Sequence, residues 1–175
     1  MALSVQAVTL ARCLRKDKVS ALRLRDMCRV SPRDSIERVV GAMVGCHGGF
    51  ALVMDGGSDA SPDGKQGSRG RLVGIFTERD FLNRVVAAGL DPSLPVENVI
   101  TRTPKTVRRT ANVHAAVELM ASGGYRHLPV VGDGGEPLGV LSVKDVVRYL
   151  VEYFPAKVYN LPPTPDQTQP AREGA

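Results

Sequence analysis

Val30-Ser-Pro-Arg-Asp-Ser-Ile36-Glu-Arg-Val39-Val40-Gly-Ala-Met43 aligns without a gap on Val107-Arg-Arg-Thr-Ala-Asn-Val113-His-Ala-Ala116-Val117-Glu-Leu-Met120, at a constant offset of 77 residues. A repeat of this kind dictates architecture before any single motif is read, because each copy is a supersecondary unit that buries its apolar face against its neighbour. In both copies a valine closes a short extended stretch. The apolar residues that follow, Ile36, Val39, Val40 and Met43 or Val113, Ala116, Val117 and Met120, recur at i, i+3, i+4 and i+7, the stripe of an amphipathic helix.

Moving towards the C-terminus, Leu72-Val-Gly74-Ile-Phe-Thr77-Glu78-Arg79-Asp80-Phe-Leu82 aligns on Pro137-Leu-Gly139-Val-Leu-Ser142-Val143-Lys144-Asp145-Val-Val147, now at an offset of 65. Copy one therefore holds an insertion between its blocks, within residues 55–70. The Gly, Ser, Asp and Pro there mark an exposed loop. Ahead of it lies an apolar stretch, Phe50 to Met54, matched by His127 to Val131 in copy two. The predicted order is β-α-β-β-α, twice. Strands this uniformly apolar need cover on both faces, so the copies should pack together as one α/β (α+β) unit. Gly48-Gly49 and Gly123-Gly124 read as helix C-caps.

The expected organisation is an N-terminal helix over 1–18, copy one over 19–88, copy two over 89–154 and a tail over 155–175. In residues 1–16, Leu3, Ala7, Leu10 and Leu14 share a helical face, while Arg12, Arg15 and Lys16 are unaccompanied by acid. This reads as an amphipathic helix docking on the module or on a second subunit, with an organellar transit peptide as the other reading. Pro155, Pro162, Pro163, Pro165 and Pro170 describe an extended tail, in which Val158, Tyr159 and Leu161 could pack across a subunit boundary.

Composition narrows the function classes. With 43% hydrophobic residues, no Trp and few aromatics, the core must be aliphatic. A formal charge of +5 favours an anionic partner, yet the cations are scattered among acids, with neither a basic block nor an aromatic platform for nucleic acid. A small phosphorylated ligand meets the same bias. Cys13, Cys28 and Cys46 lack C-x-x-C spacing, so neither a disulfide framework nor a zinc site is indicated, and a reducing cytoplasm is expected. No apolar run approaches the roughly 18 residues of a membrane span. No metal-ligand set, P-loop or nucleophile elbow is present in the sequence, and no catalysis is expected. His47 and His114 read as loop and helix-surface residues.

Both second blocks end in G-h-h-[ST]-x-[RK]-D at a strand-to-helix junction, as Gly74 to Asp80 and Gly139 to Asp145. Two readings share that geometry. Thr77 or Ser142 at the N-cap with an acid three residues on is close to a capping box. The same junction presents free amides and the positive end of the helix dipole, which favour anions. There Asp80 or Asp145 could accept from the vicinal hydroxyls of a ribose, with Arg79 or Lys144 neutralising phosphate.

The doubled β-α-β-β-α pattern, the two G-h-h-[ST]-x-[RK]-D endings and Tyr125-Arg126-His127-Leu128-Pro129-Val130-Val131 together resemble the cystathionine-β-synthase (CBS) domain family, over roughly residues 19–154. The resemblance implies a Bateman module, two repeats about a pseudo-twofold with two clefts, acting as a homodimer. It implies an adenine nucleotide ligand, AMP, ADP or ATP ahead of NAD or S-adenosylmethionine, and a regulated protein in trans. By the same resemblance Thr77, Asp80, Ser142 and Asp145 contact ribose. Cys28 to Val30, Phe50 to Leu52, Thr103, Pro104, Val107, Leu128 and Pro129 cradle the base. Arg126 and His127 have Gly49 and Phe50 as counterparts in copy one, which predicts unequal clefts with phosphate ligands concentrated in copy two. The alternative is a ligand-free dimerisation scaffold in which capping is the whole role of Thr77 and Ser142.

Overall fold

The computed structural model describes residues 12–56 and 70–153. Residues 12–16 are helical. The remainder of the expected N-terminal helix, most of the 55–70 insertion and the proline-rich tail lie outside the described residues.

Copy one contains β1 (Arg29–Val30), α1 (Ile36–Gly45), β2 (Phe50–Asp55), β3 (Arg71–Thr77) and α2 (Glu78–Asp80), which runs on into a π-helical stretch, Phe81–Val86. A short strand, β4 (Thr101–Arg102), leads into copy two: β5 (Val107–Arg108), α3 (Val113–Gly123), β6 (His127–Val131), β7 (Pro137–Ser142) and α4 (Val143–Tyr153). The fold is mixed α and β, with the β-α-β-β-α order present twice. Each α1-type helix starts for the same local reason: the Ser35 side chain accepts from the Arg38 amide, and Asn112, 77 residues on, accepts from the Ala115 amide.

The strands form two sheets, ordered β1-β2-β3-β4 and β5-β6-β7. In each, the first strand runs parallel to the second and the second antiparallel to the third. Side-chain alternation gives β2 two buried faces. Ala51 and Val53 lie beneath α1 with Ile36, Val39 and Met43, while Phe50, Leu52 and Met54 meet Ile75 of the neighbouring β3 and, from the opposite sheet, Val140. Leu128 and Val130 repeat the first arrangement beneath α3.

The segment ahead of each repeat crosses into the other repeat's core. Val96, Val99 and Ile100 pack in the core of copy one, and Val19 and Leu22 in that of copy two. The backbone bonds of these segments repeat at the 77-residue offset: Val19 N–H to Ala111 O and Ser20 N–H to Arg109 O match Val96 N–H to Asp34 O and Glu97 N–H to Pro32 O. This reciprocal exchange is the pseudo-twofold, and it explains why a half-module would expose core.

It also explains the motif glycines. A Cβ on Gly74 would stand 2.5 Å from Ile100 Cδ1, and one on Gly139 would stand 2.8 Å from Leu24 Cβ. Glycine at both positions lets the crossing segment lie directly on the strand.

One sequence expectation needs correction. Gly124 caps α3 in the left-handed conformation, at φ 64°, but in copy one that position belongs to His47, at φ 48°, and not to Gly48 or Gly49. The turn geometry follows the repeat rather than the placement of glycine.

Candidate functional site

Each helix after the third strand starts on a carboxylate. In copy one, Asp80 Oδ2 accepts from the Thr77 amide at 3.0 Å and the Thr77 hydroxyl at 2.7 Å, while the Asp80 amide donates back to Thr77 Oγ1 at 3.3 Å. Copy two repeats this, with the Ser142 amide on Asp145 Oδ2 at 3.0 Å, the Ser142 hydroxyl bonded to the same oxygen and the Asp145 amide returning to Ser142 Oγ at 3.3 Å. The capping box is therefore real in both copies. It engages one carboxylate oxygen, so capping and ligand binding do not compete for the other.

The crossing segments distribute the expected residues over two places. Beside Asp80 lies the segment that leads into copy two: Thr101 Oγ1 donates to Asp80 Oδ1 at 3.4 Å, and Thr103 N–H donates to Val73 O. Thr103 is itself held at φ 48°, an unusual conformation for a β-branched residue and one that places Pro104 after a sharp turn. Beside Asp145 lies the segment that leads into copy one, where Arg25 pairs with Val140 across the sheet edge.

A cavity of about 520 Å³ opens on the Asp145 side. Its walls come from Arg23 to Asp26, from Cys28, from the α1–β2 turn at Cys46 to Gly48, from Phe50 and from Asp145 and Arg148. That volume suits a nucleotide-sized ligand. Arg25 Nε is 3.1 Å from Asp145 Oδ2, and Arg148 lies 3.7 Å from Oδ1. The Asp145 side chain is only 3% exposed. Burial works to raise its pKa, but the Ser142 hydroxyl and amide and the Arg25 guanidinium outweigh it and hold the carboxyl below the ordinary aspartate range. At neutral pH the cavity thus presents the Asp145 carboxylate, anchored by its capping box, among Arg23, Arg25 and Arg148, with Asp26 also in the wall.

His127 occupies the pseudo-twofold itself. Its ring centroid lies 5.0 Å from that of Phe50, its own counterpart under the 77-residue offset. Burial lowers its pKa and Arg25 adds to the effect, while Glu78 and Asp145 act in the opposite sense. His127 therefore senses charges from both copies.

Other expected residues fall differently. Arg79, Arg126 and Lys144 are exposed, and neither Arg126 nor Lys144 is a wall of the cavity. Leu128 and Val107 have side chains in the core of copy two, which leaves only their backbone groups for a ligand, and Pro129 is buried opposite Val140. The expectation of phosphate ligands concentrated in copy two meets a cavity whose cations are Arg23 and Arg25 from copy one's leading segment and Arg148 from α4.

Sequence reasoning missed Arg23, Arg25, His47, Cys46 and Arg148. A signal was available: Val19 and Arg25 stand at the 77-residue offset from Val96 and Arg102, so the repeat extends upstream of the block that was aligned. Among the described residues no cluster of His, Cys, Asp and Glu could hold a metal ion, and no helix is long and apolar enough to cross a membrane.

Comparison with known proteins agrees with the fold. The sequence profile of the CBS domain matches residues 96–152. An uncharacterised 17.7 kDa protein of Acidianus ambivalens is 30% identical over 135 residues, which is 77% of this chain and 74% of that protein. The solved structure of a CBS domain protein from Pyrobaculum aerophilum, complexed with AMP, superposes with a TM-score of 0.65 at 28% identity, covering 79% of this chain and 98% of that one. A mitochondrial CBS domain-containing protein of Arabidopsis thaliana is 38% identical over 90 residues, 50% of this chain and 43% of that protein.

Proposed function

Because this chain belongs to the CBS domain family, we propose that it is a non-catalytic regulatory module that binds an adenine nucleotide in the cleft above Asp145 and acts as a homodimer on a protein in trans. One observation carries the reading: a buried, ionised Asp145, held by its capping box, faces a 520 Å³ cavity that Arg23, Arg25 and Arg148 also line. In the bound state Asp145 Oδ1 accepts from the ribose hydroxyls, Phe50 and Cys28 supply apolar surface for the base, and the arginines neutralise phosphate. The relative from Pyrobaculum aerophilum, complexed with AMP, supports an adenine nucleotide as the ligand.

Arg25 gives the site its regulatory character. Its guanidinium rests on Asp145 Oδ2, the capped oxygen beside the one that ribose needs, so a bound phosphate competes with Asp145 for Arg25. A ligand that moves Arg25 shifts the segment that crosses between repeats, and this differential contact is what a partner reads. The dimer is supported by apolar residues left exposed on the helices after the third strands, Leu82 and Val86 in copy one and Val143 and Val147 in copy two, of which Leu82 and Val147 are equivalent positions.

The unequal clefts add a preference. Arg148 in the Asp145 cleft corresponds to Asn83 beside Asp80, and Arg25 corresponds to Arg102, which instead donates to Glu97 O at 3.1 Å. The Asp145 cleft therefore takes the more highly phosphorylated nucleotide.

The test is calorimetric binding and thermal stabilisation with AMP, ADP, ATP, NAD and S-adenosylmethionine. A nucleotide present at 100 times its dissociation constant should add about 2.7 kcal/mol to stability. Asp145→Ala should abolish the tighter site, and Arg148→Asn should weaken ATP roughly tenfold, the effect of one lost charge-assisted hydrogen bond, while sparing AMP. If none of the five stabilises the wild type, the module is a ligand-free scaffold and the carboxylates only cap helices.

A further inference from the structure

Two of the three cysteines stand in the wall of the same cavity, and of these the nucleotide reading uses only the apolar surface of Cys28 and gives Cys46 no role. Cys28 lies just ahead of β1, buried in the core of copy one, with its carbonyl accepting from Leu52 N–H at 2.8 Å. Cys46 closes α1, exposed at the cavity mouth, with its amide bonded to Ala42 O and Val44 O. Both line the cavity, whereas Cys13 does not.

We propose that Cys28 and Cys46 are a redox-active dithiol that closes to an intrachain disulfide and thereby changes what the Asp145 cleft admits. The second half of this statement rests on the nucleotide reading above.

The two thiols have the unequal characters that such a pair needs. Burial, together with Cys46 as side-chain partner, pushes the Cys28 thiol up to about 12, so Cys28 stays protonated and inert while Cys46 is reduced. Cys46 is the exposed entry point. Its thiolate attacks a low-molecular-weight disulfide such as oxidised glutathione, forming a mixed disulfide and releasing one glutathione thiolate. Cys28 then gives its proton to solvent and attacks the Cys46 sulfur, forming the intrachain bond and expelling the second glutathione thiol. Two protein thiols are oxidised and one glutathione disulfide is reduced.

The structure also supplies a joint for the movement. His47, directly after Cys46 and itself a cavity wall, is held at φ 48°, a left-handed conformation that costs a residue with a Cβ. Drawing Cys46 onto Cys28 ties the end of α1 to the segment that carries Arg25 and narrows the wall between Phe50 and Asp26.

The experiment equilibrates the full, reduced chain with mixtures of oxidised and reduced glutathione, then maps its peptides by mass spectrometry after alkylation. The expected product links the Cys28 and Cys46 peptides, leaves Cys13 alkylated, reverts with dithiothreitol, survives Cys13→Ser and is abolished by Cys46→Ser. Calorimetry on the same samples should show AMP or ATP binding about tenfold weaker when oxidised, inside the usual range of site coupling, and restored on reduction.

Cys46 that stops at the mixed disulfide while Cys28 remains alkylatable, or a bond to Cys13, overturns the proposal. So does a Cys28–Cys46 disulfide that leaves nucleotide affinity unchanged. If the reduced chain binds neither nucleotide, it is the nucleotide reading that falls, and the peptide map still decides the dithiol.

Discussion

Asp80 and Asp145 hold the same place in the two repeats, make the same capping box and yet sit in different surroundings. The Asp80 side chain is 13% exposed, and its outer oxygen is shared by Arg84, one turn along its own helix, and by Thr101. The Asp145 side chain is 3% exposed, and its cation, Arg25, comes from 120 residues away, across the pseudo-twofold. Both bind a crossing segment, Asp80 through the Thr101 hydroxyl and Asp145 through the Arg25 guanidinium, but only Asp145 takes a cation from outside its own helix. A repeat can thus preserve a local motif while differing in what the motif is used for, and the difference is carried by residues outside it.

The largest expected effect tests this contrast directly. Asp145→Ala should destabilise the unliganded protein by about 3 kcal/mol, because it removes a cap and strands a partly buried guanidinium. Asp80→Ala should cost about 1 kcal/mol, the ordinary effect of a lost cap, since Arg84 keeps its hydrogen bonds to Val99 O and Thr101 Oγ1. Urea unfolding with the midpoints compared at constant slope measures both. Equal losses would mean that the long-range pair adds nothing and the clefts differ only in shape.

A smaller effect concerns the turn after the first helix of each copy. His47 and Gly124 share a left-handed conformation, but only glycine takes it without a steric penalty. His47→Gly should therefore stabilise by about 1 kcal/mol, and Gly124→His should destabilise by a similar amount. Thermal unfolding of the two reduced variants decides it. A loss of stability in His47→Gly would show that the histidine ring holds the cavity wall more firmly than its backbone strains it.

These comparisons mark what was legible in the sequence. The element order and helix starts followed from periodicity, because Ile36, Val39 and Met43 and their partners are local in sequence and each helix is stopped or capped by its neighbours. The two acids were legible for the same reason: a capping box spans three residues. What escaped was the composition of the cleft, since Arg25 reaches Asp145 only because the crossing segments exchange cores. The exchange was encoded in Val19 and Val96, both fully buried, but a single valine on each side of a repeat boundary carries little weight until the backbone shows what it packs against. Nor did the sequence show that the side chains of Leu128 and Val107 point into the core of copy two, leaving their backbone groups for a ligand.

The smallest expected effect lies on the pseudo-twofold, where copy one has Phe50 and copy two His127. Burial and Arg25 lower the His127 pKa, so the folded state resists protonation more than the unfolded chain does. The sign follows from linkage: the unfolded state binds the extra proton, and stability is full above the ordinary histidine value of 6.5 and declines as the pH falls through the lowered folded value. Asp145, also lowered, contributes a second decline, which begins only below its ordinary value of 3.8. The His127 decline begins at the higher pH. His127→Phe makes the copies alike at the axis and should remove the upper decline while leaving the lower one intact, as followed by urea midpoints between pH 8 and pH 3. A variant that kept the upper decline would place its origin in another group. If the lower decline vanished as well, His127 and Asp145 would titrate as one coupled pair, and the axis would belong to the ligand site rather than merely border it.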